Sequence, residues 1–262
     1  MYERKLLNQI LDEENLNLAI KQVKKNKGSA GVDGMTVDQI QGYLALNKDD
    51  LLKSIRNRTY KPEPVLRVEI PKPNGGVRLL CIPTVKDRVI QQAIAQILTP
   101  LFDRQFSDYS YGFRPRRYAE MAIIKGLEYM NDGYEWIVDI DLERFFDTVN
   151  HDRLMNLVAR TVKDGDVISL IRKYLVSGVQ IDEEYKETII GTPQGGNLSP
   201  LLSNIMLHEL DIELENRGLR FVRYADDCII FAKSQMAANR IMRSITRFIE
   251  EKLGLIVNAD KS

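Results

Sequence analysis

The sequence contains few of the residues that build disulfide frameworks or histidine metal sites. It has two cysteines, Cys81 and Cys228, and two histidines, His151 and His208. Two cysteines cannot form a disulfide framework, which fits a reducing compartment such as the bacterial cytoplasm. No apolar run approaches the roughly 20 residues of a membrane helix, so no membrane contact is predicted. The first residues lack the apolar core of a signal peptide, so secretion is not expected.

The chain also lacks net charge, but its charges are unevenly distributed. Its 262 residues include 37 Lys and Arg against 37 Asp and Glu. Residues 1–120 contain 20 basic and 14 acidic residues, whereas residues 121–262 contain 17 and 23. A basic first half and an acidic second half suit a protein that holds a polyanion in one part and divalent cations in another. Chance segregation is the alternative.

Two adjacent aspartates, Asp226 and Asp227, lie inside the stretch 221–231, between two short runs rich in aromatic and β-branched residues. Such runs predict strands, and the pair of runs predicts a β-hairpin with both carboxylates at its tip. Taken alone, these aspartates could be ordinary turn residues, because Asp is common in turns.

A second predicted strand, 136–142, also carries acids. Asp139 and Asp141 share one face of it, because side chains alternate along a strand. An apolar strand that places acids beside other acids is costly unless a cation compensates them. We therefore predict a metal site built from two strands.

The remaining pattern predicts a mixed α and β protein. Apolar spacing predicts helices over 3–11, 15–26, 36–46, 49–55, 84–102, 118–130, 151–162, 166–176, 201–214 and 234–252. Strands are predicted over 65–70 and 77–82, as a hairpin within 178–190, and over 253–258.

Two segments of the basic half could contact phosphates. The loop 26–34 has three glycines and could form a flexible clasp over a nucleic-acid backbone, or a plain connector between helices. The hairpin formed by 65–70 and 77–82 carries Lys72 and Arg78 near its tip. Such a cationic tip could close over phosphates, or simply keep an edge hairpin soluble.

Two further segments have unusual composition. Residues 108–117 interleave aromatic rings with arginines, a pattern that suits base stacking and phosphate contact or, alternatively, a packed aromatic loop. The segment 191–200 is rich in Gly and Pro and leads directly into an apolar helix, so its backbone N–H groups could approach a ligand closely.

Five motifs follow one another in an order that resembles group II intron-encoded reverse transcriptases (maturases). They are Ile-Pro-Lys-Pro-Asn-Gly-Gly-Val-Arg (70–78), Asp-Leu-Glu-Arg-Phe-Phe-Asp (141–147), Thr-Pro-Gln-Gly-Gly-Asn-Leu-Ser-Pro (192–200), Tyr-Ala-Asp-Asp (224–227), and Leu-Gly-Leu (253–255) with a following Lys. The Tyr-Ala-Asp-Asp box alone is shared with many reverse transcriptases. The Gln-Gly-Gly-Asn-Leu-Ser-Pro segment and the glycine-rich loop point more narrowly to the group II intron class.

The resemblance implies an α+β fold, that of a right-hand polymerase with fingers and palm subdomains. Fingers would occupy residues 1–130, with an N-terminal helical extension and a basic β-hairpin at 61–83. The palm would occupy 131–262, with an antiparallel sheet backed by helices, and helices near 84–130 could pack between the two. The sequence shows no thumb, so we expect a fragment of a longer protein.

The resemblance also implies a two-metal site for nucleotidyl transfer. Asp141, Asp226 and Asp227 would hold two Mg²⁺ ions, with Mn²⁺ as a substitute, and the Leu142 carbonyl would be an extra ligand. Asp139 is an alternative to Asp141. Asp141 is preferred because the family's metal aspartate lies five residues before an aromatic residue, which here is Phe146.

Further residues receive roles by the same resemblance. Lys261 would donate a proton to pyrophosphate, or be a solvated lysine. Phe146 would exclude a 2′-OH by pressing against the sugar of the incoming nucleotide. The alternative is that Phe145 and Phe146 both belong to the core, and one of them is expected there. The nucleotide-binding residues would be Lys72, Arg78, Arg144, Phe145, Phe146, Gln194 and Gly195, and the template RNA would contact Gly28, Ser29, Ala30, Gly31 and Arg114.

The implied function is RNA-directed DNA polymerisation. Its partners would be a group II intron RNA, an RNA template with its primer strand, and deoxynucleoside triphosphates. One alternative is a catalytically silent RNA-binding scaffold of the same fold, and another is a metal-dependent nuclease. An apolar surface left without its thumb could also make the isolated fragment a homodimer.

Overall fold

A computed structural model describes residues 6–71, 77–182, 184–258 and 262 of an α+β chain. Its helices are α1 (Leu6–Ile10), α2 (Glu13–Asn26), α3 (Ile40–Arg56), α4 (Val85–Asp103), α5 (Ala119–Asn131), α6 (Phe145–Thr148), α7 (His151–Thr161), α8 (Gly165–Leu175), α9 (Ser199–Asn216) and α10 (Gln235–Phe248), which continues as a π-helical turn (Ile249–Leu253). Its strands are β1 (Val65–Pro71), β2 (Val77–Ile82), β3 (Trp136–Ile140), β4 (Val179–Ile181), β5 (Glu184–Lys186), β6 (Arg220–Tyr224) and β7 (Asp227–Ala232).

The chain divides into two compact units that alternate along the sequence. The first unit consists of Met1–Leu101 and His151–Ser199, and the second consists of Phe102–Asn150 and Pro200–Ser262. These units are defined by contacts and do not assign the names fingers and palm, so the predicted division near residue 130 stays a prediction. Within the described ranges, no helix is both long and apolar enough to cross a bilayer.

The first unit contains a four-stranded sheet in the order β2-β1-β4-β5. Strands β1 and β2 pair antiparallel from Leu66 opposite Ile82 to Pro71 opposite Val77, which confirms the predicted hairpin. Its tip, residues 72–76, lies outside the described residues. Strand β4 pairs parallel to β1 and antiparallel to β5, so the predicted hairpin within 178–190 is confirmed in a shorter form.

The second unit contains a three-stranded antiparallel sheet in the order β3-β7-β6. Alternation gives it two different faces, as period-two side-chain placement requires. Val138, Ile140, Cys228 and Ile230 are buried on one face, while Ile137, Asp139 and Ile229 are exposed on the other. Helix α10 contacts β3 and β7, and its inward stripe consists of Ala238, Ile241 and Ile245.

Helix α5 lies near β6 and closes part of the exposed sheet face. A side chain cannot easily be added at Gly126 of this helix, because a Cβ there would lie 3.2 Å from the ring of Phe231. The helix therefore approaches the sheet where a glycine permits it.

The sequence-based helix boundaries are wrong at one place. Two helices were expected over 36–46 and 49–55, but one continuous helix, α3, covers Ile40–Arg56. Thr36 does not cap it, because the Gln39 side chain accepts hydrogen bonds from the backbone N–H and the hydroxyl of Thr36 in a turn before the helix. No proline or glycine interrupts the chain between Leu44 and Ile55, so Asp49 and Asp50 simply point outward from an unbroken helix.

The predicted last strand over 253–258 is also different in the structure. Among the described residues it makes one antiparallel bridge, between Val257 and Leu142. Gly254 reverses the chain in a left-handed conformation after the π-helical turn, which shortens the extended segment that can pair.

Candidate active site

The predicted Asp226–Asp227 hairpin forms as expected. Tyr224 pairs with Asp227, so Ala225 and Asp226 are the two loop residues between β6 and β7. Ala225 has a φ of +59°, in the left-handed region that two-residue hairpin loops require at their first position. Because alanine is disfavoured there, contacts around the turn must hold this conformation.

Residues 108–117 brace the β6 side of that turn. The Arg223 backbone N–H donates to the Tyr109 carbonyl over 2.9 Å, and the Tyr111 N–H donates to the Arg223 carbonyl over 2.8 Å. Gly112 approaches even closer, since a Cβ at this position would lie 2.2 Å from the Ala225 nitrogen. The segment therefore packs as an aromatic loop against the turn, which was one of the two expectations for it.

Arg114, predicted to contact template RNA, is 8% exposed. Its Nε donates to Asp103 over 2.7 Å, and one terminal nitrogen donates to the Ser110 carbonyl over 2.9 Å. The guanidinium is thus occupied inside the second unit. A direct template contact by Arg114 stays a prediction that these contacts do not support.

Strand pairing brings the predicted carboxylates to one end of the second sheet. Ile140 pairs with Cys228, so Asp141 follows β3 at the level where Asp227 begins β7. Asp139 lies on the same face but two pairs farther along, opposite Ile229. The backbone of Asp141 is therefore nearer than that of Asp139 to the Asp226–Asp227 turn, although the charge of Asp139 affects the pKa of Asp227 more than that of Asp141 does.

The pKa of Asp227 depends on the negative charges of the neighbouring carboxylates. Burial raises the pKa of Asp227, and the negative charges of Asp226, Asp139 and Asp141 raise it further. A divalent cation would relieve this repulsion, and carboxylate oxygens are the donors that Mg²⁺ and Mn²⁺ prefer. Within the described ranges, however, no three acidic, histidine or cysteine side chains converge closely enough to form a ready-made metal cage.

The chain's last segment holds the backbone on either side of Asp141. The Asn258 N–H donates to the Asp141 carbonyl over 2.8 Å, and the Asp141 N–H donates to the Ser262 hydroxyl over 3.0 Å. Beside it, the Glu143 N–H donates to the Ile256 carbonyl over 2.8 Å. Asp141 therefore has a fixed backbone. Lys261 lies outside the described residues.

The two phenylalanines after Asp141 have different environments. Phe145 is 2% exposed, whereas Phe146 is only partly buried. Their rings meet edge to face with centroids 5.1 Å apart. This confirms that one of the pair belongs to the core and leaves Phe146 as the accessible ring. Arg144 precedes the short helix α6 with a φ of +46°.

In the first unit, the segment 191–199 is fastened to β2. The Cys81 N–H donates to the Gln194 carbonyl over 2.7 Å, and a Cβ on Gly195 would lie 2.6 Å from the Cys81 carbonyl oxygen. His151 is buried, and its Nε2 lies 2.6 Å from the Gly191 carbonyl oxygen. Arg78 lies on the same strand, β2, although its side chain is outside what the structure describes, as is Lys72.

The glycine-rich loop is pinned to the start of α4. Arg88 donates to the Ser29 carbonyl over 2.7 Å and to the Lys27 carbonyl over 3.4 Å. A Cβ on Gly31 would lie 2.7 Å from the Thr84 nitrogen, so the loop backbone touches the helix directly. The loop is therefore attached to the start of α4 at these residues. Its predicted role as a clasp over a nucleic-acid backbone, or as a plain connector, stays a prediction.

A polar cleft of about 250 Å³ lies beside the pinned loop in the first unit. Its lining includes Asn26, Lys27, Arg88, Gly195 and Asn197. Burial lowers the pKa of Arg88, and the charge of Asp33 partly opposes this shift. The cleft is thus lined by residues of both the glycine-rich loop 26–34 and the segment 191–200, which the sequence marked as separate candidate sites.

Some residues that build these sites escaped the sequence-based prediction. Arg88 lies within the predicted helix over 84–102 and received no role from the sequence. Arg223 stands between apolar residues on an inward position of β6, and Asp211 lies within the apolar helix α9. A charge at an inward position normally requires a buried partner, which is the signal that could have revealed both.

Comparisons with known proteins match this fold and these motifs. Residues 70–262 match the family described as "Reverse transcriptase (RNA-dependent DNA polymerase)". The Group II intron-encoded protein LtrA of Lactococcus lactis subsp. cremoris is 37% identical over 213 residues, covering 81% of this chain and 35% of that protein. Protein YkfC of Escherichia coli (strain K12) is 32% identical over 299 residues, covering 99% of this chain and 78% of that protein.

A solved structure shows the same fold. A chain of the partial Cas6-RT-Cas1–Cas2 complex superposes with a TM-score of 0.59 at 24% identity, covering 97% of this chain and 44% of that one. This protein therefore belongs to the reverse transcriptase (RNA-dependent DNA polymerase) family. The predicted α+β polymerase fold and the resemblance to group II intron-encoded reverse transcriptases are confirmed. The chain spans about a third of the length of LtrA (35%).

Proposed function

We propose that this chain is the RNA-directed DNA polymerase domain of a group II intron-encoded protein. The observation that carries the proposal is that Asp141 follows β3 at the level of the Asp226–Asp227 turn, where the charges of Asp226 and Asp141 contribute to the raised pKa of Asp227. Nucleotide addition to a primer 3′-OH is an in-line phosphoryl transfer that depends mainly on positioning and charge stabilisation.

The three carboxylates would hold two divalent cations, Mg²⁺ or Mn²⁺, with the Leu142 carbonyl as an additional ligand. Bound there, such ions stabilise the attacking and leaving oxygens of the displacement. The carboxylate side chains supply only oxygen donors, which suits these hard cations. The fixed backbone of Asp141 limits how far its carboxylate can move.

The remaining roles rest on the family resemblance. Lys72, Arg78, Gln194 and Gly195 bind the nucleotide, and the amides of Arg144 and Phe145 face its triphosphate. Phe146, the accessible ring of its pair, packs on the sugar and excludes ribonucleotides. Lys261 protonates the leaving pyrophosphate.

The partners follow from the same chemistry. Deoxynucleoside triphosphates and a primer on an RNA template are the substrates, and a group II intron RNA is the larger partner. The template contacts the backbone of the glycine-rich loop at Gly28, Ser29, Ala30 and Gly31. Arg88 holds this loop in a defined position by donating two hydrogen bonds to its carbonyls. The cytoplasmic location and self-association of the chain stay predictions.

Primer extension tests the proposal. The chain is incubated with a labelled primer on an RNA template, all four deoxynucleotides and Mg²⁺ or Mn²⁺, and both strands are resolved on a gel. Template-directed lengthening of the primer is the expected result. RNA binding without extension in either metal would favour the silent scaffold, and metal-dependent loss of template without synthesis would favour the nuclease.

A further inference from the structure

A buried ion pair lies directly beneath the Asp226–Asp227 turn. Arg223 and Asp211 both have side chains that are 0% exposed. The Arg223 Nε and one terminal nitrogen donate to the two Asp211 carboxylate oxygens, each over 2.6 Å. This is the two-pronged geometry in which arginine binds a carboxylate most strongly.

The second terminal nitrogen of Arg223 extends this network to the turn. It donates to the Ala225 carbonyl over 2.7 Å and to the Asn204 side-chain oxygen over 2.9 Å. The amide nitrogen of Asn204 in turn donates to the Gly112 carbonyl over 2.9 Å. One guanidinium thus connects helix α9, the turn and the segment that packs on the turn.

The cost of this arrangement indicates that it does more than stabilise the fold. Burial alone would raise the pKa of Asp211, but the charge and hydrogen bonds of Arg223 outweigh that effect, so the pKa lies below its usual value. Replacing a buried ion pair by well-packed apolar residues is often neutral or stabilising. Apolar side chains, however, cannot hold the Ala225 carbonyl, and Ala225 occupies the left-handed conformation that precedes Asp226.

We propose that Arg223 is a positioning residue that, held by Asp211 and Asn204, fixes the Ala225 carbonyl and thereby aims the Asp226 and Asp227 carboxylates for metal binding. This inference rests on the proposed function for the role of the carboxylates. Arg223 is fully buried, so it acts through the turn rather than by touching a substrate.

The test uses a double substitution, Arg223→Met with Asp211→Leu, which removes both charges together and leaves neither unpaired. Mn²⁺ binding is followed by the electron paramagnetic resonance signal of free Mn²⁺, and primer extension gives kcat and KM. We expect a folded protein whose Mn²⁺ affinity and kcat each fall about 10- to 100-fold, since partners that orient metal ligands have effects of that size. The KM for deoxynucleotide should change little.

Two further variants separate positioning from stability. Arg223→Lys keeps a positive charge beside Asp211 but lacks the planar fork that reaches Asn204 and the turn, so it should lose Mn²⁺ affinity as well. Leu214→Ala creates a cavity one turn along α9 at a fully buried site and should lower stability while keeping wild-type Mn²⁺ affinity.

Wild-type Mn²⁺ affinity in the folded double variant, or in Arg223→Lys, would overturn the proposal. If the double variant does not fold, Asn204→Leu decides the question. It leaves the Arg223–Asp211 ion pair intact and removes both the hydrogen bond that Arg223 donates to Asn204 and the one that Asn204 donates to the Gly112 carbonyl. Wild-type Mn²⁺ affinity in this variant would likewise overturn the proposal. A wild-type chain that binds Mn²⁺ but fails to extend the primer would refute the polymerase function alone, and the Mn²⁺ titrations would still decide the role of Arg223.

Discussion

The backbone N–H of Cys81 donates a 2.7 Å hydrogen bond to the carbonyl oxygen of Gln194. Strand β2 is at the edge of its sheet, so this bond gives its outer side a partner. It joins the strand that carries Arg78 to the segment that carries Gln194. Arg78 and Gln194, which are both proposed to bind the nucleotide, therefore lie on two segments that a hydrogen bond joins. A change in either segment should affect the other.

Gly195→Ala should separate these two segments. Gly195 has a φ of +116°, and a Cβ there would lie 2.6 Å from the Cys81 carbonyl oxygen. We expect a loss of about 1–3 kcal/mol in the free energy of unfolding, because the strained conformation and the close contact act together. Urea unfolding of the variant and the wild type measures this loss.

Gly42→Ala is the matched control for that substitution. Gly42 lies inside helix α3 with open space around its Cβ position. Alanine should stabilise the helix there by about 0.5–1 kcal/mol. Equal effects of the two substitutions would show that the fit of Gly195 against Cys81 is unimportant.

Phe146→Val should admit ribonucleotides. The smaller side chain leaves room for a 2′-OH, and we expect the preference for deoxynucleotides in kcat/KM to fall by about 10- to 200-fold. Phe145 is the contrasting position, because it is buried. Phe145→Ala should cost about 3–5 kcal/mol of stability, and ribonucleotide entry through Phe145 variants alone would mean that the two ring assignments are reversed.

Asp227→Asn should stabilise the protein slightly when no divalent ion is present. It removes one of several negative charges that repel each other at the sheet end. Since Asp227 is exposed, screening keeps the gain below about 1 kcal/mol. Thermal unfolding with a chelator measures it, and the same variant should no longer gain stability from added Mn²⁺. A loss of stability with chelator present would argue against mutual repulsion among these carboxylates.

Stability should also depend on His151 at mildly acidic pH. Burial lowers the pKa of His151, although the hydrogen bond to Gly191 opposes the shift. The unfolded chain, with an ordinary histidine pKa near about 6.5, then binds this proton more readily than the folded chain. The contribution of neutral His151 to the free energy of unfolding is therefore fully present above that pH and decreases as the pH drops through it.

Urea unfolding at about pH 7.5 and 5.5 tests the His151 prediction. His151→Gln cannot take up a proton, so its stability should fall less between the two conditions than that of the wild type. An identical fall in both proteins would assign the acid sensitivity to other groups.

The sequence predicted the parts of the site that local patterns encode. Strand-like runs and the paired acids were enough to predict the hairpin with Asp226 and Asp227 at its turn and a second strand with Asp139 and Asp141 on one face, whereas the choice of Asp141 over Asp139 rested on the family resemblance. The contacts that hold these strands were not predictable in the same way. Arg223 and Asp211 are 12 residues apart, on a strand and a helix, and meet only once α9 packs on the sheet. No spacing pattern within a single element predicts that pairing.

The close contacts between backbone segments could not be predicted from the sequence either. Gly112 and Gly31 read as loop glycines, but their positions are decided by the Ala225 and Thr84 backbones that touch them. Helix α3 shows the opposite error. Asp49 and Asp50 suggested a second helix start, yet a capping signal has no effect where nothing ends the preceding helix.

The most direct test of the central claim compares four single variants in one primer-extension experiment on an RNA template. Asp141→Asn, Asp226→Asn and Asp227→Asn each remove a proposed metal ligand, whereas Asp139→Asn removes a carboxylate of the same face two pairs farther from the turn. RNA affinity is measured in parallel by fluorescence anisotropy. The account predicts that the first three variants bind RNA but do not extend the primer, while Asp139→Asn retains extension. Extension by Asp141→Asn or Asp226→Asn at the wild-type rate would contradict it.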